Sequence, residues 1–229
     1  AARRLVGDGS LRVTNEASAV VARRLLDGNL VDPALIRDAD TAVLTVVVPV
    51  RDRPVQLDRC LRSLAGLEVI VVDDDSLAPD EVAAVAARHG VRLIRLGTNS
   101  GPAGARNTGL REVSTPYVAF VDSDVAVDSG TLVALAGHLE DPAVALAGPL
   151  VRGAIRSPRP HWFERYDAAA IALALGDRAC SVKAGAAVGW LPSACLVGRT
   201  AALRAAGGFD AGMRVGEDVD LVWRLVSAG

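Results

Sequence analysis

From Thr41 onward the chain alternates between apolar runs and amphipathic stretches. Residues 43–50 form a β-branched run without polar alternation, the pattern of a central parallel strand buried on both faces, and Pro49 sits at its end, where a missing N–H is tolerated. Residues 55–64 place Leu57, Cys60, Leu61 and Leu64 on one helical face. The same logic predicts strands at 69–72, 91–96, 117–121 and 143–146, and helices at 81–89, 101–112 and 132–139. The regular alternation breaks at 150–183, where Arg152, Arg156, Pro158, Arg159 and Pro160 predict a mobile segment, followed by a short helix near 166–175. A strand at 190–197, a helix at 200–206 and a last helix complete the pattern. In that last helix Val219, Val222, Trp223 and Val226 recur at i, i+3, i+4 and i+7.

Strand–helix alternation of this kind predicts an α/β fold, an open, mostly parallel sheet with helices on both faces. In such sheets ligands bind beyond the carboxyl ends of the strands. Residues 1–40 read differently. Asp8-Gly9 centres a hairpin at 5–13, and a helix at 17–26 is closed by Gly28 and Asn29. The expectation is a small N-terminal appendage at 1–40, packed on a main domain at 41–229. The start at Ala1 and the stop just past a helix read as a fragment of a longer protein, cut at its C-terminus.

Composition narrows the function. A net charge of −2 and 3% aromatic residues argue against a nucleic-acid or anionic-membrane partner. Cys60, Cys180 and Cys195 are scattered without a CxxC pair, which suggests reduced thiols in a cytoplasmic protein rather than a disulfide frame or a zinc site. The longest uncharged stretch, 184–198, is too short to span a bilayer.

Three predicted strands end in polar or acidic residues: Arg51-Asp52, Asp73 to Asp75, and Asp122-Ser123-Asp124. In the last, carboxylates at i and i+2 of an extended chain point the same way, with no partner charge written beside them. Like charges that close repel unless a cation lies between them, and a divalent ion shared with a diphosphate satisfies that need.

These pieces together resemble family-2 glycosyltransferases of the GT-A fold. The resemblance rests on Val48-Pro49-Val50-Arg51-Asp52-Arg53, Val71-Val72-Asp73-Asp74-Asp75-Ser76, and Asn99-Ser100-Gly101-Pro102-Ala103-Gly104-Ala105-Arg106-Asn107. It rests also on the DxD at Asp122–Asp124, on Gly207-Gly208-Phe209-Asp210, and on Gly216-Glu217-Asp218-Val219-Asp220-Leu221. Order and spacing fit over about residues 43–229. Within the family, 101–110, Pro192-Ser193-Ala194 and 214–225 look most like the branch that serves mycofactocin biosynthesis.

The resemblance implies an inverting, metal-dependent transfer of a sugar, glucose by subfamily, from a UDP-sugar to a hydroxyl of a small-molecule or glycan acceptor. It implies Mg²⁺ or Mn²⁺ on Asp124 and Asp122, with Asp122 and Ser123 toward the ribose or the waters of the metal. Asp73 or Asp74 would take the uracil N3–H, and the backbone of Pro49, Val50 and Arg51 would complete the base pocket. Arg106 would brace either the nucleotide or the acidic turn. Asp218, with Glu217 beside it, would act as the catalytic base, and 150–190 would shape the acceptor side. Asp75 stands where the family usually has Gly. A late histidine that often completes the metal shell would lie beyond Gly229.

Each assignment has a structural rival. Asp73 to Ser76 also suits a helix-capping turn, and Glu217 and Asp218 suit the positive end of a helix dipole. Trp162 and Trp190 fit sugar stacking or a core and rim role, whereas His89 and His161 have no ligand partners at useful spacing. A nucleotidyltransferase would need a glycine-rich basic loop after the first strand, where Arg51-Asp52-Arg53-Pro54 stands. A receiver domain would need a later strand-end Lys, and Gly101-Pro102-Ala103-Gly104 is not a dinucleotide fingerprint. Two alternatives remain open: transfer to a cell-envelope polysaccharide or lipid, and a nucleotide-sugar-binding relic without turnover.

Overall fold

The structure is a computed structural model that describes residues 12–33, 41–155, 157–176, 178–183 and 185–228. Most of the hairpin expected at 5–13, and Arg156, lie outside the described residues. Six strands form one sheet in the order β3-β2-β1-β4-β6-β5. They are β1 (Leu44–Val50), β2 (Glu68–Asp73), β3 (Arg92–Arg95), β4 (Tyr117–Val121), β5 (Leu146–Ala147) and β6 (Cys195–Arg199). The pairs β1–β2, β1–β4 and β2–β3 are parallel, whereas β6 runs antiparallel to both β4 and β5.

The apolar run of β1 lacks alternation because both of its faces are covered. Leu44, Val46, Val48 and Val50 pack with Leu57, Cys60 and Leu61 of α2 (Pro54–Ser63) and with Val82 and Val85 of α3 (Pro79–Arg88). Leu132 and Ala136 of α5 (Ser129–His138) join the same layer. Val47, one residue out of step, points to the other face and joins Ala103, Ala105 and Leu110 of α4 (Gly101–Glu112). Leu203 of α7 (Thr200–Ala205) and Leu221 and Val222 of α8 (Glu217–Ser227) complete that second layer. Helix α4 rests directly on β1: a Cβ at Gly109 would overlap the Val47 side chain.

Helix α1 (Glu16–Asp27) is capped by Asn15, whose side chain accepts from the Ser18 N–H at 2.9 Å. Arg23 pairs with Asp141 at 2.8 Å, and Asn29 Oδ1 accepts from the Ser181 N–H at 2.7 Å, so this N-terminal piece is tied to two distant segments.

Several expected bounds shift. The strand expected at 143–146 shrinks to Leu146–Ala147, because Val144 N–H turns back to the Asp141 carbonyl at 2.9 Å. The helix expected at 166–175 is instead α6 (Trp162–Ala170), started by Glu164, which accepts from the His161 N–H at 2.7 Å. The strand expected at 190–197 begins only at Cys195, since Trp190-Leu191-Pro192 is apolar but unpaired and Ser193-Ala194 forms a turn.

The register places both ends of the 148–194 excursion at one edge. Val121, the last residue of β4, faces Cys195, the first of β6, and β5 leaves the sheet at the same edge. That is also the carboxyl edge of β1, β2 and β4. Among the described residues no helix is long and apolar enough to cross a membrane.

Candidate functional site

Pairing of β1 with β4 stops at Val47–Phe120, while β1 continues beside β2 to Val50–Asp73. The crevice that opens there is the switch point of the sheet, since β2 and β3 lie on one side of β1 and β4 on the other. Pro49 lies past the end of the β4 ladder. Val50 spends its carbonyl on the Asp74 N–H at 2.9 Å, and both Pro49 and Val50 are buried. Arg51 follows and is exposed.

The acidic turn after β2 is built by its own side chains. Asp73 is fully buried; its Oδ1 accepts from the Ser76 N–H at 3.1 Å, and its Oδ2 has no hydrogen-bond partner, with Arg95 Nε at 4.0 Å. Asp74 Oδ1 accepts from the Ser100 N–H at 2.7 Å and from its hydroxyl at 3.0 Å. Asp75 takes φ 60°, the left-handed conformation that Gly adopts freely and Asp tolerates, so the turn forms without the glycine. Ser76 Oγ accepts from the Asp52 N–H at 2.9 Å, and Asp52 Oδ1 accepts from the Leu77 N–H at 2.6 Å, joining the β1 and β2 loops.

The turn after β4 differs from its expected form. The chain is not extended there, because the Val125 N–H bonds back to the Asp122 carbonyl at 2.9 Å. Nor do the two carboxylates lack counter-charges. Arg106 donates from Nη2 to Asp122 Oδ1 at 2.6 Å, and Arg53 donates from Nη1 to Asp124 Oδ2 at 2.5 Å. Repulsion between the aspartates is thus relieved by two arginines from separate segments, Arg106 within α4 and Arg53 in the loop before α2, a correction that spacing alone could not supply. Ser123 between them is buried.

Arg106 is the hub of the site. It is 3% exposed, and its Nη1 donates to Glu217 Oε1 at 3.1 Å while Nη2 holds Asp122. Its guanidinium lies 5.4 Å from the centre of the Phe209 ring, which meets Phe120 edge-on at 5.0 Å. The acidic turn of β4 and the acidic head of α8 therefore converge on one buried cation. Gly216, at φ 85°, makes the left-handed turn that starts α8.

Asp218 follows with Oδ2 accepting from the Ser193 N–H at 3.2 Å and Oδ1 from the Val219 N–H at 2.9 Å. The stripe expected on this helix is displaced by one residue. Leu221 and Val222 are buried and Leu225 packs on them, whereas Trp223 and Val226 are exposed. The inward face is 218, 221, 222 and 225, so Asp218 is the polar head of the apolar stripe.

Burial raises the Asp122 carboxyl above the usual carboxylate range. Arg106 opposes the rise, and Asp124 and Glu217 add to it. Burial, reinforced by Asp122 and Asp124, pushes the Cys60 thiol up to about 12, and burial with Asp122 does the same to Cys195. Among the described residues no cluster of three or more His, Cys, Asp or Glu is placed to hold a metal alone. Asp122 and Asp124 offer two hard oxygen donors, a set that suits a divalent cation arriving with phosphate oxygens and water rather than a cage made by protein only.

Three further participants, Arg53, Ser193 and Phe209, stand within motifs that the sequence offered but carried no assigned role there. Their contacts with Asp124, Asp218 and Arg106 are made across the fold and leave no local signal. Among the described residues, the rings of Trp162 on α6 and of His161, the residue before it, make contacts only with Phe163. His89 Nε2 pairs with Asp58 Oδ1 at 3.0 Å, a part-buried polar contact between α2 and the end of α3.

The sequence model of glycosyl transferase family 2 matches residues 45–188. Along its whole length the chain is 44% identical to a pre-mycofactocin glycosyltransferase of Mycobacterium tuberculosis, and covers 48% of that protein, so it spans about half the length of the relative. Among solved structures, residues 1–349 of S. aureus TarS in complex with UDP-GlcNAc superpose with a TM-score of 0.61 at 22% identity, over 80% of this chain and 52% of that fragment. A mannosyltransferase from Pyrobaculum calidifontis, in complex with GDP-Man and Mn²⁺, gives 0.54 at 20% identity, over 90% and 59%. At such identities the likeness to these two is one of fold.

Proposed function

The chain belongs to glycosyl transferase family 2 and has the GT-A fold, and from that membership we propose that it moves a sugar from a UDP-sugar to an acceptor hydroxyl with inversion. The observation that carries the proposal is the meeting of Asp122 and Glu217 on buried Arg106, with Asp218 one residue further along α8, at the switch point of the sheet. We propose glucose as the sugar and premycofactocin, or sugars already on it, as the acceptor. The support for that acceptor is the full-length 44% identity to the pre-mycofactocin glycosyltransferase.

In this mechanism Asp73 receives the uracil. Its Oδ2 is a buried acceptor still without a donor, whereas the bonded oxygen of Asp74 is committed to Ser100. Pro49, Val50 and Arg51 line the base, and Asp122, Ser123 and Asp124 face the ribose and diphosphate. Asp122 and Asp124 would hold Mg²⁺ or Mn²⁺, which neutralises the charge that grows on the departing diphosphate. Asp218 takes the proton of the acceptor hydroxyl as that oxygen bonds to the anomeric carbon; the carbon–oxygen bond to the diphosphate breaks and UDP leaves. The Ser193 N–H holds the Asp218 carboxylate in place from the returning end of the excursion. Glu217 acts on Arg106 and not on substrate, so it positions the head of α8. The acceptor approaches from the side of 148–194.

Incubation with UDP-glucose, Mn²⁺ and a premycofactocin acceptor, followed by mass spectrometry, tests the proposal. A product heavier by one hexose supports it. Transfer to a polysaccharide or lipid acceptor in place of premycofactocin would overturn the acceptor and keep the donor chemistry. UDP-glucose that remains intact with every acceptor, in the full-length protein, would overturn the activity.

A further inference from the structure

We propose that Arg53 is a binding residue for the diphosphate of the donor, kept on Asp124 until a divalent cation takes that carboxylate; this rests on the nucleotide-sugar reading above. Arg53 directly precedes α2 and makes no side-chain cap on it, so its guanidinium is not committed to its own helix. It reaches from the β1 side of the crevice to Asp124 Oδ2, 2.5 Å away, on the β4 side. The pair is open to solvent, with side chains 54% and 44% exposed. Exposed pairs of this kind add little to stability, so Arg53 does not serve the fold in the way buried Arg106 does. A second arginine separates the backbone from the carboxylate. Arg59 Nη2 donates to the Asp124 carbonyl at 3.2 Å, so the turn stays anchored when its side chain changes partner.

Charge then sets the sequence of events. A divalent cation on Asp124 competes with Arg53 for the same oxygen and repels the guanidinium. Cation–oxygen bonds are about 2 Å long, so phosphate oxygens held by a cation at Asp124 would lie close to the carboxylate that Arg53 already reaches. A planar guanidinium matches two phosphate oxygens at once, which the compact ammonium of lysine does not. Arg53 therefore has opposite effects in the two states: it weakens binding of the bare cation and strengthens binding of the nucleotide with its cation.

Calorimetry on the full chain with Arg53→Gln and Arg53→Lys tests this, titrating Mn²⁺ alone, uridine, and UDP in saturating Mn²⁺. Arg53→Gln is expected to bind Mn²⁺ severalfold more tightly than wild type, to keep its uridine affinity, and to lose roughly tenfold or more for UDP, the size of one charge-assisted contact. Arg53→Lys is expected to fall between the two for UDP. An unchanged UDP affinity in Arg53→Gln, with wild type binding UDP normally, overturns this inference alone. An equal loss for uridine and UDP assigns Arg53 to the loop and overturns it too. Wild-type protein that binds no UDP in Mn²⁺ overturns the nucleotide-sugar reading and this inference with it.

Discussion

Replacing Arg106 by Met gives the sharpest forecast, because one side chain holds two acidic segments together. Met keeps the apolar contact with Phe209 and deletes the guanidinium. Glu217, 11% exposed, loses its buried partner, and Asp122, a third exposed, loses its bond as well. Removing one member of a buried pair costs about 3–5 kcal/mol; the solvent at Asp122 argues for the lower half of that range. Against a total stability of about 5–15 kcal/mol the loss is large, and a urea slope of about 3 kcal/mol per molar turns it into a midpoint shift near 1 M.

The loss should also depend on pH. The Asp122 carboxyl already sits above its unfolded value, so its unfavourable contribution is complete above the folded pKa and disappears as the pH falls below the unfolded one. Without Arg106 the folded value rises further. The variant should therefore recover part of its deficit between pH 7.5 and pH 4.5, measured by urea unfolding at both values. A deficit under about 1 kcal/mol, or one that is identical at the two pH values, would refute the role of Arg106 as the charge bridge.

Asp218→Asn should lower the rate of transfer by about 10²–10⁴ and leave UDP affinity within about twofold; a collapse of UDP binding would show that Asp218 serves the donor and not the acceptor proton. With a disulfide reagent at pH 8, Cys180 should react promptly while Cys60 and Cys195 stay silent until unfolding. Thiols pushed up to about 12 hold only about one part in 10⁴ as thiolate at that pH, and three fast equivalents would contradict the burial of that pair.

Much of the scaffold was legible because its elements are periodic and closed by strong signals. Gly101–Glu112 and Tyr117–Val121 fall where the pattern puts them. The acids of the site were legible because each stands at the end of an apolar run or the start of a helix. What could not be read is tertiary. Arg53 meets Asp124 across 71 residues, and Ser193 meets Asp218 across 25, so neither contact has a local pattern. The one-residue displacement on α8 has a physical cause as well: Val219, Trp223 and Val226 are as apolar as the true stripe, and only the neighbouring layer of Phe209 and Leu203 selects which face turns inward. Apolar content likewise misled at Trp190-Leu191-Pro192, where Leu191 and Pro192 are buried without strand pairing.

A cation-dependent UDP-sugar site at the switch point between β1 and β4, with Asp122 and Asp124 as its carboxylates, is testable by calorimetric titration of the full chain with UDP-glucose, first in Mn²⁺ and then in chelator. The expected result is saturable one-to-one binding in Mn²⁺ that is lost on chelation and in Asp124→Ala. Binding of equal strength with and without metal, unchanged in Asp124→Ala, would contradict it.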